Sequence, residues 1–368
     1  GIIDPPRGEA LEAIKACNKA GIQVKMITGD HPETAAAIGR QLGIGKLGAI
    51  EGKMIDQMSE EELLEAVEKY DIFARTSPEN KLQLIGALQK NGEIVSMTGD
   101  GVNDAPSLKK ADIGVAMGIK GTETAKDAAE MILADDNFGT IFNAVKEGRR
   151  IYDNFRKTVL FILPTNVCEA ILIAGSILLG FSVILTPVQI LWINLITSVT
   201  ISFGLIFEKL EEDALTRPPR PRNAPLLSKY HIFRIAYVSL MIGVVCILLV
   251  YDLMEKGFSP ALIQTTVMNA IVFAEMFHLF NCRSETGPAI SKDFFANKIA
   301  FLVSGLLVIL QLAITYLPLS NIVFGTVPME AADWVMPIAI GLLVFVVVEL
   351  EKGITRTIIN KKDGMDEK

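Results

Sequence analysis

A short turn near the start of the chain combines residue types that can bind a phosphoryl group. Thr28 offers a hydroxyl, and Gly29 allows its backbone N–H to approach an anion closely. Asp30 completes the Thr-Gly-Asp sequence. A single turn of this kind is more often plain turn chemistry than a site, so the rest of the chain has to support the interpretation.

A second Thr-Gly-Asp turn supplies that support. Asp100, Asn103 and Asp104 place two carboxylates and an amide close together, and Mg²⁺ prefers oxygen ligands and keeps several waters. Lys81, at the start of a predicted helix between the two turns, could add a positive charge. Together these residues predict a site for a phosphoryl group and Mg²⁺.

The elements that position these turns alternate between strand and helix. Pro32 suits the first turn of a helix, Ser59 and Glu62 form a capping pair, and Ser77 caps a third helix. This alternation predicts an α/β, doubly wound parallel sheet with both turns at the carboxyl ends of strands, where such sheets bind ligands. The predicted strands are Gln23–Ile27, Ile72–Ala74, Glu93–Met97, Ile113–Ala116 and Met131–Leu133, and Gly8–Lys19 is a predicted helix.

Polar residues also recur inside long apolar segments of the second half. Asn166 and Glu169 are three residues apart, as are Asn194 and Thr197, and each pair can share a helical face. Ser198 adds a hydroxyl beside Thr197. A lone amide or hydroxyl in a span usually bonds to another helix.

Glu169 and Glu275 are different, because an unpaired carboxylate in hydrocarbon is expensive. The two spans that carry them contain no Lys or Arg that could pair with them, so a cation or a proton is the natural partner. Carboxylate, amide and hydroxyl oxygens together would suit a hard cation.

A membrane span needs about 20 mostly apolar residues. Six segments qualify, which predicts an all-α polytopic membrane domain of six helices after residue 150. Lys and Arg concentrate in the loops after the second and fourth segments and in the tail, so both termini are expected to be cytoplasmic. The segments are Thr158–Leu179, Pro187–Phe207, Phe233–Tyr251, Ile263–Phe280, Ile299–Leu317 and Trp334–Glu349.

Composition excludes several other classes of protein. Half of the 368 residues are hydrophobic, and the net charge of −7 gives no basic patch that would suggest nucleic acid. The four cysteines are far apart, which argues against a disulfide framework or a cysteine metal site. The chain begins with Gly1 and lacks an N-terminal signal pattern, so the simplest expectation is a piece of a longer protein.

Beyond these patterns, several motifs closely resemble those of P-type ATPases of the type-two branch, which includes calcium and sodium pumps. The family's haloacid-dehalogenase-type phosphorylation domain is resembled by three features: the run MITGDHPETAAAIGRQLGI, Lys81, and the run MTGDGVNDAPSLKKADIGVAMG. The DPPR segment at Asp4–Arg7 resembles the point where that domain resumes. The likeness extends to nearly the whole chain through three further segments: ILADDNFGTIFNAVKEGRRIYDN, LTPVQILWINLITS and RPPRPRNAPLLS. The implied domains are residues 1–150 for phosphorylation, 151–352 for six spans and 353–368 for a cytoplasmic tail.

The resemblance implies a role for each residue of the two turns. Thr28, Gly29 and Asp30 would serve the phosphoryl group, which Lys81 would neutralise. Asp100 would bind Mg²⁺, with support from Asn103 and Asp104, and ATP would be the substrate.

In the membrane, the resemblance implies transported-ion ligands at Asn166, Glu169, Asn194, Thr197 and Glu275. Ser198 departs from the pattern, because relatives carry Asp there. The ligand set therefore carries fewer negative charges, which leaves Ca²⁺, Na⁺, K⁺ and H⁺ as candidate ions. Soft metals such as copper are disfavoured, since Cys168 is the only thiol near this face.

The family's phosphorylated Asp, in a DKTG motif, is absent from this sequence. The leading expectation is therefore a C-terminal part of an ATP-driven cation pump with an aspartyl-phosphate cycle. This chain alone is expected to be inactive. Its expected partners are the N-terminal part of the same pump and the lipid bilayer. The alternatives are a truncated, non-catalytic paralogue that regulates or assembles with a full pump and, less favoured, a membrane-anchored phosphatase.

Overall fold

The computed structural model of the chain describes residues 8–181 and 184–366, without the side chains of residues 212 and 359–366. The DPPR segment of the sequence comparison, Asp4–Arg7, lies outside the described residues. Contacts divide the chain into two units. The α/β unit comprises Gly1–Arg149 and Leu210–Ala224, and the helical unit comprises Arg150–Lys209 and Pro225–Lys368.

The α/β unit alternates short strands and helices, as its sequence predicts. The strands are β1 Met26–Ile27, β2 Ala49–Glu51, β3 Ile72–Ala74, β4 Ser96–Gly99, β5 Ile113–Met117 and β6 Met131–Leu133. The helices are α1 Gly8–Lys19, α2 Pro32–Leu42, α3 Gly52–Ile55, α4 Glu60–Lys69, α5 Pro78–Lys90, α6 Ala105–Lys110 and α7 Glu123–Ala128.

All strand pairs in this unit are parallel, but they form two three-stranded sheets rather than one continuous sheet. The orders are β1-β3-β2 and β4-β5-β6, so the two strands that lead into the Thr-Gly-Asp turns, β1 and β4, are both edge strands. Both strands also start later than predicted, β1 at Met26 and β4 at Ser96.

Helix α5 contributes to the cores behind both sheets. Ser77 caps its first turn through the Asn80 N–H, as the sequence predicts. Leu84 packs in a cluster with Phe73, whereas the adjacent Ile85 packs in a second cluster with Met97. Burial of side chains of this size contributes about 1.5–3 kcal/mol each, so α5 is held firmly where it carries Lys81.

The helical unit contains long apolar helices and some shorter ones. They are α8 Phe138–Leu179 (which begins before this unit), α9 Pro187–Trp192, α10 Ser198–Ile206, α11 Lys229–Glu255, α12 Pro260–Cys282, α13 Lys298–Tyr316, α14 Pro318–Phe324 and α15 Val335–Asp366. Among the described residues, five helical segments are long and apolar enough to cross a membrane. The sixth predicted span, Trp334–Glu349, coincides largely with α15, and its membrane crossing stays a prediction.

Helix α12 lies at the centre of this unit. In its most apolar stretch 78% of residues are buried, compared with 33–39% in the other four spans. Helices α9 and α10 are joined by a π-helical turn, Ile193–Thr197, in which the Ser198 N–H donates to the Ile193 carbonyl five residues earlier. Such turns inside α-helices frequently lie at functional sites.

Candidate functional site

The second Thr-Gly-Asp turn is organised around the buried side chain of Asp104. Lys81 Nζ donates to Asp104 Oδ1 at 2.5 Å, and the backbone N–H groups of Asp100 and Gly101 donate to Asp104 Oδ2 at 3.2 and 3.1 Å. A Cβ on Gly99 would lie 2.6 Å from the Asp104 Cβ, so only glycine permits this approach. Asp104 therefore holds both Lys81 and the turn in place.

Electrostatics in this cluster favour the ionised carboxylate. Burial alone would raise the pKa of Asp104, but the hydrogen bond and charge of Lys81 and the N–H groups of Gly101 and Asp100 outweigh it and lower the pKa below its ordinary value. Asp104 thus positions a lysine rather than presenting free oxygens.

The residues that remain for Mg²⁺ are fewer than the sequence suggests. Both Asp104 oxygens are engaged, whereas Asp100 and Asn103 have exposed side chains. In the described part of the chain, no group of three or more His, Cys, Asp or Glu residues could hold a metal. Asp100 still fits Mg²⁺, which often takes one or two carboxylates together with phosphate oxygens and water.

The first turn is held by its own side chains. The Thr28 hydroxyl donates to Asp30 Oδ2 at 3.0 Å, and the Asp30 N–H donates back to Thr28 Oγ1 at 3.1 Å. Gly29 is exposed, with no atom within 4 Å of the position a Cβ would take, so its N–H is approachable by an anion.

In the helical unit, the first part of the predicted cation site is a contact between α8 and the π turn. Asn194 Nδ2 donates to Glu169 Oε2 at 2.6 Å and to the Ile190 carbonyl at 3.1 Å. Glu169 is buried, and its second oxygen, Oε1, has no hydrogen-bond partner.

The second part is a contact between the π turn and α12. The Thr197 hydroxyl lies 2.6 Å from Glu275 Oε2 and also contacts the Ile193 carbonyl. Glu275 Oε1 and Ser198 Oγ are buried and have no hydrogen-bond partner. Two carboxylates and a hydroxyl thus each present an unpaired oxygen, at high cost unless something binds them.

Asn166 differs from the other predicted ligands. Its side chain is exposed, although Glu169 three residues later is buried. Contacts therefore connect Glu169 with Asn194 and Thr197 with Glu275, while Asn166 lies outside these pairs.

One more polar residue near this region is His278 on α12. Pro164 has no N–H for the Leu160 carbonyl, and the fully buried His278 ring interacts with that carbonyl. The sequence predicts a free carbonyl four residues before a proline in a span. It does not predict which residue on another helix contacts that carbonyl.

Comparisons with known proteins find relatives that match most of this chain. Residues 1–112 match the family described as haloacid dehalogenase-like hydrolase, and residues 182–354 match "Cation transporting ATPase, C-terminus". The chain is 44% identical over 352 residues to "Probable cation-transporting ATPase F" of Mycobacterium tuberculosis, covering 94% of this chain and 39% of that protein.

Two further relatives carry calcium in their names. "Calcium-transporting ATPase" of Bacillus subtilis is 43% identical over 350 residues, covering 93% of this chain and 39% of the relative. "Calcium-transporting ATPase 1" of Yarrowia lipolytica is 37% identical over 356 residues, covering 96% and 38%. The chain thus spans about two fifths of the length of these relatives.

A haloacid dehalogenase-like domain followed by apolar helices defines an integral, multi-pass membrane protein with a hydrolase-like domain. The chain belongs to the P-type cation-transporting ATPases.

Proposed function

We propose that this chain serves ATP-driven cation transport across a membrane through an aspartyl-phosphate cycle, as part of a longer pump. Ca²⁺ is the first candidate ion, with Na⁺, K⁺ and H⁺ as further candidates. The observation that carries the proposal is the set of buried, unpaired oxygens on Glu169, Ser198 and Glu275.

Their electrostatic balance supports a cation as the occupant. Among the described residues, Glu169 and Glu275 contact an amide and a hydroxyl rather than a basic side chain. Two carboxylates within apolar helices are stable only if a positive ion or protons compensate their charge. Oxygen ligands favour a hard cation over copper or zinc.

Ser198 bears on which cation this is. A hydroxyl there, where the resemblance leads one to expect Asp, leaves two carboxylates in the group. This charge suits one divalent ion, or monovalent ions or protons. The names of the relatives from B. subtilis and Y. lipolytica favour Ca²⁺ among these.

In the α/β unit, we assign phosphate handling to the two turns. The Thr28 hydroxyl and Gly29 N–H would bind the phosphoryl oxygens, within the turn that Asp30 closes. Lys81, held by Asp104, would neutralise negative charge. Asp100 would hold Mg²⁺ and Asn103 would support it; the bound ion would neutralise charge on the transferring phosphate of ATP.

The nucleophile and the arrangement in the membrane complete the proposal. No DKT sequence occurs in this chain, so the phosphorylated Asp would come from the N-terminal part of the same pump. The Lys- and Arg-rich loops would face the cytoplasm together with both termini.

The test is ATP-driven cation uptake by the full-length pump in reconstituted vesicles, screened over Ca²⁺, Na⁺ and K⁺. Glu169→Gln and Glu275→Gln should each raise the half-activating concentration of the transported ion at least about tenfold, since a buried charge–cation contact is lost. Glu255→Gln, at the exposed end of α11, is the matched control. Uptake that is unchanged in both buried variants would refute the assignment.

A further inference from the structure

The loop between α12 and α13, residues 283–297, contacts several other helices of the helical unit. It follows directly on the helix that carries Glu275. Its polar contacts are largely buried, and none of its residues belongs to the proposed cation or phosphate sites. Its ion pairs form two groups, one at each of two residues near its start, Arg283 and Glu285. Lys352 and Glu349 of α15 contact it as well.

The first group connects the loop with the end of α10. Arg283 Nε donates to Glu208 Oε1 in a buried ion pair, with side chains 7% and 10% exposed. Asn297, at the other end of the loop, donates to the same Glu208 oxygen at 2.8 Å and to the Gly204 carbonyl at 2.7 Å. Glu208 lies ten residues after Ser198, about 15 Å along a helical path.

The second group connects the loop with α8 and α11. Arg156 Nε donates to Glu285 Oε1 at 2.5 Å, and His231 Nε2 lies 3.3 Å from Glu285 Oε2. Burial alone would raise the pKa of Glu285, but the His231 hydrogen bond and the Arg156 charge outweigh it and lower the pKa below its ordinary value. Arg156 lies thirteen residues before Glu169, about 20 Å along the helix.

These ion pairs join the helices that carry the proposed cation ligands. Glu169 is on α8, Ser198 begins α10, and Glu275 is on α12. In addition, Asn154 of α8 donates to the carbonyls of Ile206 and Glu208, each at 2.9 Å. The three helices are therefore connected to one another at the same end.

We infer that Arg283 and Glu285 are positioning residues for the cation site: their ion pairs with Glu208 and Arg156 set the placement of α8, α10 and α12 and thereby the spacing of the ligand oxygens. The inference rests on the proposed function. Buried ion pairs contribute little net stability but can specify one arrangement of packed helices, and removing one partner leaves an uncompensated charge. Rigid helices carry a change at their ends to oxygens about 12–20 Å away.

The variants that test this role are Glu285→Gln and Glu208→Gln, each of which keeps side-chain size but removes one charge. The matched control is Glu351→Gln. Glu351 pairs with Arg234 at 2.9 Å, with similarly buried side chains, and that pair joins α11 and α15, which carry no proposed ligand. Arg234 also donates to the Glu285 carbonyl at 2.7 Å, but that bond does not involve the Glu351 side chain that the control changes. All three variants should lose stability in a comparable way, so stability alone does not separate them.

Two measurements do separate them. In the full-length pump, the half-activating Ca²⁺ concentration should rise about tenfold in Glu285→Gln and Glu208→Gln, with kcat within about twofold, and should stay near the parent value in Glu351→Gln. In this chain, spin labels at the exposed positions Phe155 and Ile290 should report a shifted or broader distance in Glu285→Gln and the parent distance in Glu351→Gln.

Each outcome decides the inference. Equal Ca²⁺ activation in Glu285→Gln and Glu351→Gln would overturn it, as would an unchanged label distance in Glu285→Gln. The double variant Arg156→Met with Glu285→Gln should lose less than the sum of the two single variants, because the two residues form one pair, although Arg156 also contacts Asp153. Strictly additive losses would count against that pairing. If Glu275→Gln leaves cation activation unaltered, the proposed cation site is wrong, and the role of Arg283 and Glu285 in cation affinity is wrong with it. The label distances would still show whether the loop fixes the positions of the helices.

Discussion

Replacing Asp104 with Asn perturbs the contact on which the second Thr-Gly-Asp turn depends. The carboxylate accepts from Lys81 on one oxygen and from two backbone N–H groups on the other. An Asn side chain could keep one oxygen acceptor towards the N–H groups, but its NH₂ would then face the lysine ammonium, donor against donor.

The expected loss follows from the environment of the pair. Hydrogen bonds to charged groups contribute about 1.5–3 kcal/mol, and the side chains of Lys81 and Asp104 are 19% and 11% exposed, so solvent screening is limited. We expect Asp104→Asn to destabilise the α/β unit by about 2 kcal/mol, which is about a 30-fold change in the opening equilibrium.

Hydrogen exchange of the full chain in detergent measures this change locally. Peptides covering Ser96–Met117 should exchange about 30-fold faster in Asp104→Asn at neutral pH. Lys90→Met is the control, because the Lys90–Glu60 pair has side chains 60% and 68% exposed and such pairs contribute little.

The dependence on pH provides the second check. Because the folded pKa of Asp104 is lowered, its stabilisation is fully present well above the ordinary value of 3.8 and is lost as the pH falls through the folded pKa. The ratio of variant to parent exchange rates should therefore decline below pH 3.8. Exchange that matches Lys90→Met at neutral pH, or a ratio that persists unchanged in acid, would refute the reasoning.

Three further predictions concern the cation site, the phosphoryl chemistry and the sheets. Thr197→Val should raise the half-activating cation concentration of the full-length pump about tenfold, and the control Thr200→Val should not. Ser198→Asp should raise affinity for Ca²⁺ relative to Na⁺ or K⁺, and an unchanged ion preference would mean that Ser198 does not face the site. This chain alone should form no hydroxylamine-sensitive phosphoprotein from labelled ATP, and the appearance of one would contradict the need for an Asp from elsewhere in the pump. Amides of the edge strands Met26–Ile27 and Ser96–Gly99 should exchange faster in this chain than in the full-length pump, because each strand is paired on one side only; equal protection in both would contradict this.

Local pattern predicted much of the α/β unit. The strands Ile72–Ala74 and Met131–Leu133 and the capping pair of Ser59 with Glu62 are confirmed, since each depends on neighbouring residues alone. Strand β2, Ala49–Glu51, was missed, because three residues of mixed polarity beside Gly48 and Gly52 carry little periodicity. The division into two sheets depends on which strands pair, which no local pattern contains.

The candidate sites show the same limit. Residue type and spacing singled out Lys81 and Asp104, but not that they bond to each other; that contact depends on the packing of α5 beside the turn. Likewise, Asn166 and Glu169 are about 60° apart around a helix, and the border between exposed and buried surface falls between them. The contact of Thr197 with Glu275 crosses from one helix to another, beyond the reach of periodicity.

The π turn at Ile193–Thr197 gives the second span two halves that differ in phase. Because five residues close its hydrogen-bonded ring where an α-helix uses four, the turn holds one residue more than a regular helix would at that point. Deleting one residue there would restore a continuous α-helix with both halves facing as they do now, whereas converting the turn to α-helix without a deletion would rotate everything after it by about 100°. Conversely, a shift of the extra residue along the chain would rotate Ser198 while Asn194 keeps its bond to Glu169. The oxygens on one half of the span can thus change the direction they face while those on the other half stay in place.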